Sequence, residues 1–255
     1  MASSTPPPHR LIDQKAEQFT LGTLSRSALD PSSPIPQFRR WFAHALASPA
    51  PLHPETCTLS TAALPSGRVS ARVVYLKELD ARGGFVVYSN VGTSRKAADL
   101  ASNPHAALTF HWEALQRQVR VEGTVERNSR EESQAYFDTR VRGSRIGAWA
   151  SRQSAVLRPG GRDDNGDGDG DDGRAQLDEW VREVEERFKD KGREGEDQIP
   201  VPEFWGGLRL MPTVVEFWQG RDNRLHDRFV YTWEAKDGEG EGEGQGSWRL
   251  DRLSP

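Results

Sequence analysis

The chain has 255 residues, a single cysteine and a formal net charge of −4. That length supports a self-sufficient core, and the lone Cys57 excludes an internal disulfide and points to a reducing compartment, with the cytosol as the expected location. The negative total argues against a nucleic-acid binder, the lack of an apolar run approaching ~20 residues argues against a membrane helix, and the small, Pro-rich start argues against secretion and disfavours a mitochondrial presequence.

Residues 1–35, rich in Pro and Ser, are expected to be disordered, with one short helix near 11–19. From Pro36, the apolar positions Phe38, Trp41, Phe42, Ala45 and Leu46 recur at helical spacing until Pro49, Pro51 and Pro54 end the pattern. Five runs rich in β-branched and aromatic residues follow, at 56–64, 69–78, 84–89, 106–112 and 118–127. Hairpin turns fit Ser66-Gly67 and Arg82-Gly83-Gly84. A helix fits 94–100, and another begins at Ser129, where Glu132 completes a capping box. Helices are also predicted at 144–150 and 176–189. Two strand pairs finish the chain, 208–211 with 214–218 and 229–233 with 248–253.

So many strands with so few crossover helices predict a mainly β chain with flanking helices, an α+β fold on an antiparallel barrel. One domain, 36–255, would carry it, interrupted by acidic disordered insertions at about 159–175 and 237–246. The first insertion imitates an EF-hand loop from Asp163, but Arg174 occupies the twelfth position, where a bidentate Glu is needed.

Four clusters could carry chemistry. Arg72 and Lys77 lie at opposite ends of an apolar strand and on opposite faces, which also suits plain strand-end charges in water. Tyr88, Ser89, Ser94, Arg95 and Lys96 run from a strand through a Gly-containing loop into a helix. Amides, hydroxyls and cations there suit a phosphate, and equally an ordinary capped helix. Tyr136 and Arg140 share a helical face and precede Ser144, Gln153 and Ser154; a surface pair would look the same. Arg224, His226 and Arg228 fall on one face of an extended segment, an arrangement of like charges that favours an anion among them.

At this last cluster the sequence resembles the pyridoxamine 5′-phosphate oxidase family. Glu216-Phe-Trp-Gln is followed, four residues later, by Arg224-Leu-His-Asp-Arg228, and Arg249 to Pro255 resembles the family's C-terminus. The resemblance spans about 36–255 and implies an FMN-binding split β-barrel working as a homodimer, with two sites at the subunit interface. It implies that Arg72, Lys77, Tyr88, Ser89, Ser94, Arg95, Lys96, Gln118, Gln153, Ser154, Trp218 and Arg228 contact FMN, Ser89 standing where Thr is common. It assigns Lys77, Tyr136, Arg140 and Ser144 to the substrate phosphate, and Arg224 with His226 to the pyridine ring and its reacting substituent. The implied reaction oxidises pyridoxamine 5′-phosphate or pyridoxine 5′-phosphate to pyridoxal 5′-phosphate, reducing O2 to H2O2. Two other readings stay open: a split-barrel flavin reductase with no need of Arg224 and His226, and a non-enzymatic pyridoxal phosphate carrier without flavin.

Overall fold

The structure is a computed structural model and describes residues 18–158, 172–191, 198–235 and 246–255. Strand β1 (Thr56–Ala63) buries Cys57, Leu59 and Thr61 in alternation, which puts one face on the core. Its hairpin partner β2 (Arg68–Tyr75) turns Ser70, Arg72 and Val74 inward and leaves Val69, Val73 and Tyr75 exposed. Gly67 closes this hairpin with a φ of 67°, a conformation open to glycine. Beyond it come β4 (Phe85–Asn90), β5 (His105–Trp112) and β6 (Arg117–Arg127), as the residue patterns predict, while the expected run 69–78 divides into β2 and a short β3 (Glu78–Leu79). The sheet order is β2-β1-β5-β6, continuing through β7 (Trp205–Gln219) to β4 and β3. β8 (Asp227–Ala235) pairs with β7, and β9 (Gly246–Leu253) with β8. Just past β2, the Lys77 N–H donates to the Val86 carbonyl at 2.9 Å, so the sheet curls back on itself.

Strand β7 organises the fold and corrects the expected pair 208–211 and 214–218. One edge runs along β6, while the other holds β4 through residues 205–210 and β8 through residues 214–219. Pro212 falls between these two partners and opposite a bulge at Glu122/Gly123, so its missing N–H breaks no ladder and the strand continues. Gly123 is required there: a Cβ would stand 1.9 Å from the Met211 carbonyl oxygen.

Helix α1 (Ile35–Ala47) buries Phe38, Trp41 and Ala45 against the barrel core. α2 (Arg95–Ser102) starts at the Ser94 cap, and α3 (Arg130–Asp138) has the predicted Ser129/Glu132 capping box. α4 (Arg142–Ala150) and α5 (Arg174–Arg187) belong to a second core of Phe137, Ile146, Phe188, Ile199, Val201 and Trp205.

The expected disorder through residue 35 does not hold for 18–35. Leu24 and Leu29 are buried in the barrel core, and the Leu24 N–H donates to Asp227 Oδ2 at 3.0 Å. Apolar anchors at these two positions outweigh the Pro/Ser composition around them. The predicted helix at 11–19 falls mostly outside the described residues, as do 159–171 and 237–245 of the two insertions. Arg174 and Gly246, expected within those insertions, instead open α5 and β9. Among the described residues no helix is long and apolar enough to cross a membrane, and no His/Cys/Asp/Glu group could hold a metal.

Candidate active site

Asn90, at the end of β4, shapes the turn into α2. Its Oδ1 accepts from the N–H groups of Gly92, Thr93 and Ser94 at 2.8–3.1 Å. The Ser94 hydroxyl donates to the Asn90 carbonyl and accepts from the Ala97 N–H, and the Arg95 N–H donates to Ser154 Oγ. These amides, expected to cradle a phosphate, are therefore engaged within the protein, and the fully buried Ser94 acts as a cap. The cations remain. Lys96 is only 4% exposed, and its Nζ donates to the uncharged Gln153 Oε1 at 2.7 Å. Burial, then the nearby charge of Arg72, lower its ammonium to about 8. Arg72 and Arg95 share one buried carboxylate, Asp99, and with Lys96 close to Arg72 the cluster keeps a positive excess. Ser89, 3.5 Å from Gln153 Oε1, completes this cluster.

Next to it is a cleft of about 420 Å³ lined by Lys77, Tyr88, Ser89, Tyr136, Arg140 and Gln153, among others. Tyr88 stacks on Tyr136 with centroids 3.7 Å apart, and its hydroxyl donates to Glu78 at 2.8 Å. Burial and that bond to Glu78 raise the Tyr88 pKa. The Arg140 guanidinium lies 4.7 Å over the Trp205 ring, and its Nη1 is buried without a hydrogen-bond partner among the described residues. An unpaired buried guanidinium nitrogen is costly unless an anion reaches it. Ser144 sits in the first turn of α4, its N–H bonded to the Val141 carbonyl, and does not line this cleft.

Gln118 and Trp218 are paired across β6 and β7, and Trp218 also pairs with Arg228 on β8. His226 packs on the Trp218 ring at 4.6 Å, and its Nδ1 accepts from the Arg221 N–H, which leaves Nε2 to donate. Burial, then the charges of Arg224 and Arg228, lower its pKa. Arg228 Nε donates to the buried Glu216 at 2.8 Å. Arg224 departs from the expected extended segment: β8 begins only at Asp227, and Arg224 ends a 3-10 turn with a φ of 63°. The Asp-Asn pair before it favours a left-handed turn over extension.

These two groups lie at opposite ends of β7. Ser89 pairs with Gly206 and Gln118 with Trp218, twelve positions along the strand. That is about 40 Å of strand path. Two family models match the chain: "Pyridoxamine 5'-phosphate oxidase" over residues 47–163 and "Pyridoxine 5'-phosphate oxidase C-terminal dimerisation region" over residues 205–255. The pyridoxamine 5'-phosphate oxidase of Saccharomyces cerevisiae is 48% identical over 238 residues, 93% of this chain and 92% of that protein. The chain belongs to the pyridoxamine 5′-phosphate oxidase family. A pyridoxine/pyridoxamine 5'-phosphate oxidase of Burkholderia lata is 46% identical, over 91% of this chain and 95% of its own length. Among solved structures, PhzG from Burkholderia lata in complex with tetrahydrophenazine-1-carboxylic acid superposes with a TM-score of 0.72 at 25% identity, covering 92% of this chain and 99% of that one. The split-barrel architecture follows from this superposition and the family match.

For a member of this oxidase family, the sequence reading left out several residues that shape the site. Asn90 folds the loop, Trp205 supports Arg140, and Glu216 holds Arg228. Phe19 packs edge-on against both Trp218 and His226, at 5.6 and 5.7 Å. Its segment is rich in Pro and Ser, and only the recurring apolar positions Phe19, Leu21 and Leu24 signal a packed stretch there.

Proposed function

We propose that this chain oxidises pyridoxine 5′-phosphate and pyridoxamine 5′-phosphate to pyridoxal 5′-phosphate, with FMN as cofactor, O2 as electron acceptor and H2O2 as product. The observation that carries this reading is a pair of cations set for two phosphates. Neither Lys96, buried beside Gln153, nor Arg140, with its orphaned Nη1, has a carboxylate partner among the described residues. Lys96, Arg95, Arg72, Ser89, Gln153 and Ser154 suit the FMN phosphate, with Ser94 capping the helix that carries Arg95 and Lys96. Lys77, Tyr136 and Arg140 suit the substrate phosphate from the adjoining cleft; Ser144 would have to reach it from outside the lining residues.

FMN, when bound, supplies the two-electron acceptor that side chains lack. The chain's own part is binding and orientation. Remote phosphate contacts give binding energy that fixes the geometry of the reacting carbon. Arg224 and His226 hold the pyridine ring, and the free Nε2–H of His226 can donate to a ring substituent. Gln118, Trp218, Arg228, Lys77 and Tyr88 complete the cofactor contacts.

A homodimer follows as the way to join the two ends of β7, since a two-fold partner can place the Trp218 end of one chain against the Lys96 end of the other. The match to a dimerisation region and the exposed Val69, Val73 and Tyr75 on β2 support it. The test is a purified sample and an oxygen electrode. Yellow protein that consumes O2 and forms peroxide with pyridoxine 5′-phosphate is expected; a colourless protein, or a yellow one inert to both substrates, would refute the reading.

A further inference from the structure

Asp99 is assigned no ligand contact above, yet it pairs with Arg72 and Arg95 of the phosphate site. Its side chain is 4% exposed. Oδ2 accepts from the Thr61 hydroxyl at 2.7 Å and from the Ser70 hydroxyl at 2.6 Å. Those hydroxyls in turn accept from Arg72, Nη1 donating to Thr61 at 2.9 Å and Nη2 to Ser70 at 2.5 Å. The Leu59 carbonyl takes a further Nη1 bond at 3.0 Å. Direct contact between the charges is looser, 3.9 Å from Asp99 to Arg72 and 3.9 Å to Arg95.

A hydroxyl has one proton and two lone pairs. If both hydroxyls give their protons to the carboxylate, both must turn lone pairs toward the guanidinium. We propose that Asp99 is a positioning residue for the cofactor phosphate: it sets the direction of the Thr61 and Ser70 hydroxyls, which then clamp Arg72 in the orientation that meets the anion. This rests on the reading that Arg72 contacts the FMN phosphate. Simple electrostatics opposes such a role, because a carboxylate near a phosphate should weaken binding. Asp99 is favourable there only if fixing Arg72 outweighs the repulsion.

That opposition of signs makes the test decisive. FMN dissociation constants are measured by fluorescence titration of the cofactor-free protein for Asp99→Leu, Asp99→Asn, Ser70→Ala and Arg72→Ala, and for Asp99→Leu combined with Arg72→Ala. Asp99→Leu is expected to weaken FMN about tenfold or more, with little further loss when Arg72 is also removed, as coupled residues behave. Asp99→Asn, whose carbonyl can still accept from both hydroxyls, should restore most of the affinity. Ser70→Ala, which removes one of the two hydroxyls, should cost about threefold. Unchanged or tighter binding in Asp99→Leu and Ser70→Ala, alongside weaker binding in Arg72→Ala, would overturn the positioning role while leaving the cofactor assignment intact. No effect of Arg72→Ala would remove the assignment itself, and this inference with it.

Discussion

Lys96 Nζ donates to Gln153 Oε1 at 2.7 Å, tying the first turn of α2 to the loop after α4 across 57 positions of sequence. This ammonium, lowered from an ordinary 10.5 to about 8, makes stability pH-dependent. Below pH 8 both folded and unfolded chains hold the proton, and the cost of burying the charge is fully present. Between about pH 8 and 10.5 the unfolded chain binds more protons, so stability rises with pH. Thermal unfolding of the cofactor-free protein should show this rise, worth on the order of 3 kcal/mol, in wild type and not in Lys96→Met. FMN affinity should move the opposite way, falling above pH 8 as the ammonium loses its proton. Parallel stability curves for the two proteins would contradict the prediction.

Arg140 lines the cleft, and its buried Nη1 has no hydrogen-bond partner among the described residues. Arg140→Lys keeps the charge but loses the planar fork and its stacking on Trp205. The KM for pyridoxine 5′-phosphate should rise about tenfold or more with a smaller change in kcat, as expected for a lost charge-assisted bond to a remote group. Steady-state kinetics at saturating FMN decide this; an unchanged KM would place the phosphate elsewhere.

His226 is held below its usual pKa by burial and by Arg224 and Arg228. Arg224→Gln removes one of those charges, so the His226 pKa rises and the acid limb of the kcat/KM profile moves to higher pH. Turnover should fall far more than FMN content, because Arg224 is assigned to the substrate ring. A profile that does not move, or equal loss of turnover and FMN, would count against these roles.

Gly123 tests the branching of the sheet rather than the chemistry. A Cβ there would overlap the Met211 carbonyl oxygen at 1.9 Å, and backbone cannot yield as a flexible side chain can. Gly123→Ala should destabilise the protein by about 3 kcal/mol or more. Urea unfolding of the cofactor-free protein reads this out, and a loss below about 1 kcal/mol would mean that the bulge relaxes easily.

Patterns between near neighbours in the chain were enough to place most local elements and to supply the residue types of the site. Apolar period, caps and turn glycines located α1, α3 and most strands to within a few residues, because those signals act between near neighbours. The Arg224-Leu-His-Asp-Arg228 motif pointed to the family for the same reason: its residues are contiguous. Tertiary structure alone decided what depends on distant partners. Pro212 looks like a strand end, and only the gap between β4 and β8 on one edge of β7 makes it harmless. Leu24 and Phe19 sit in a stretch whose composition reads as disorder, and only a barrel surface with Asp227, Trp218 and His226 in place fixes them. Asp99 is placed by the sequence only within the expected helix 94–100, and β1 and β2 are what bring Thr61, Ser70 and Arg72 to it. Pairing across a sheet joins residues that no local pattern connects, and this sheet brought Arg72 to Asp99.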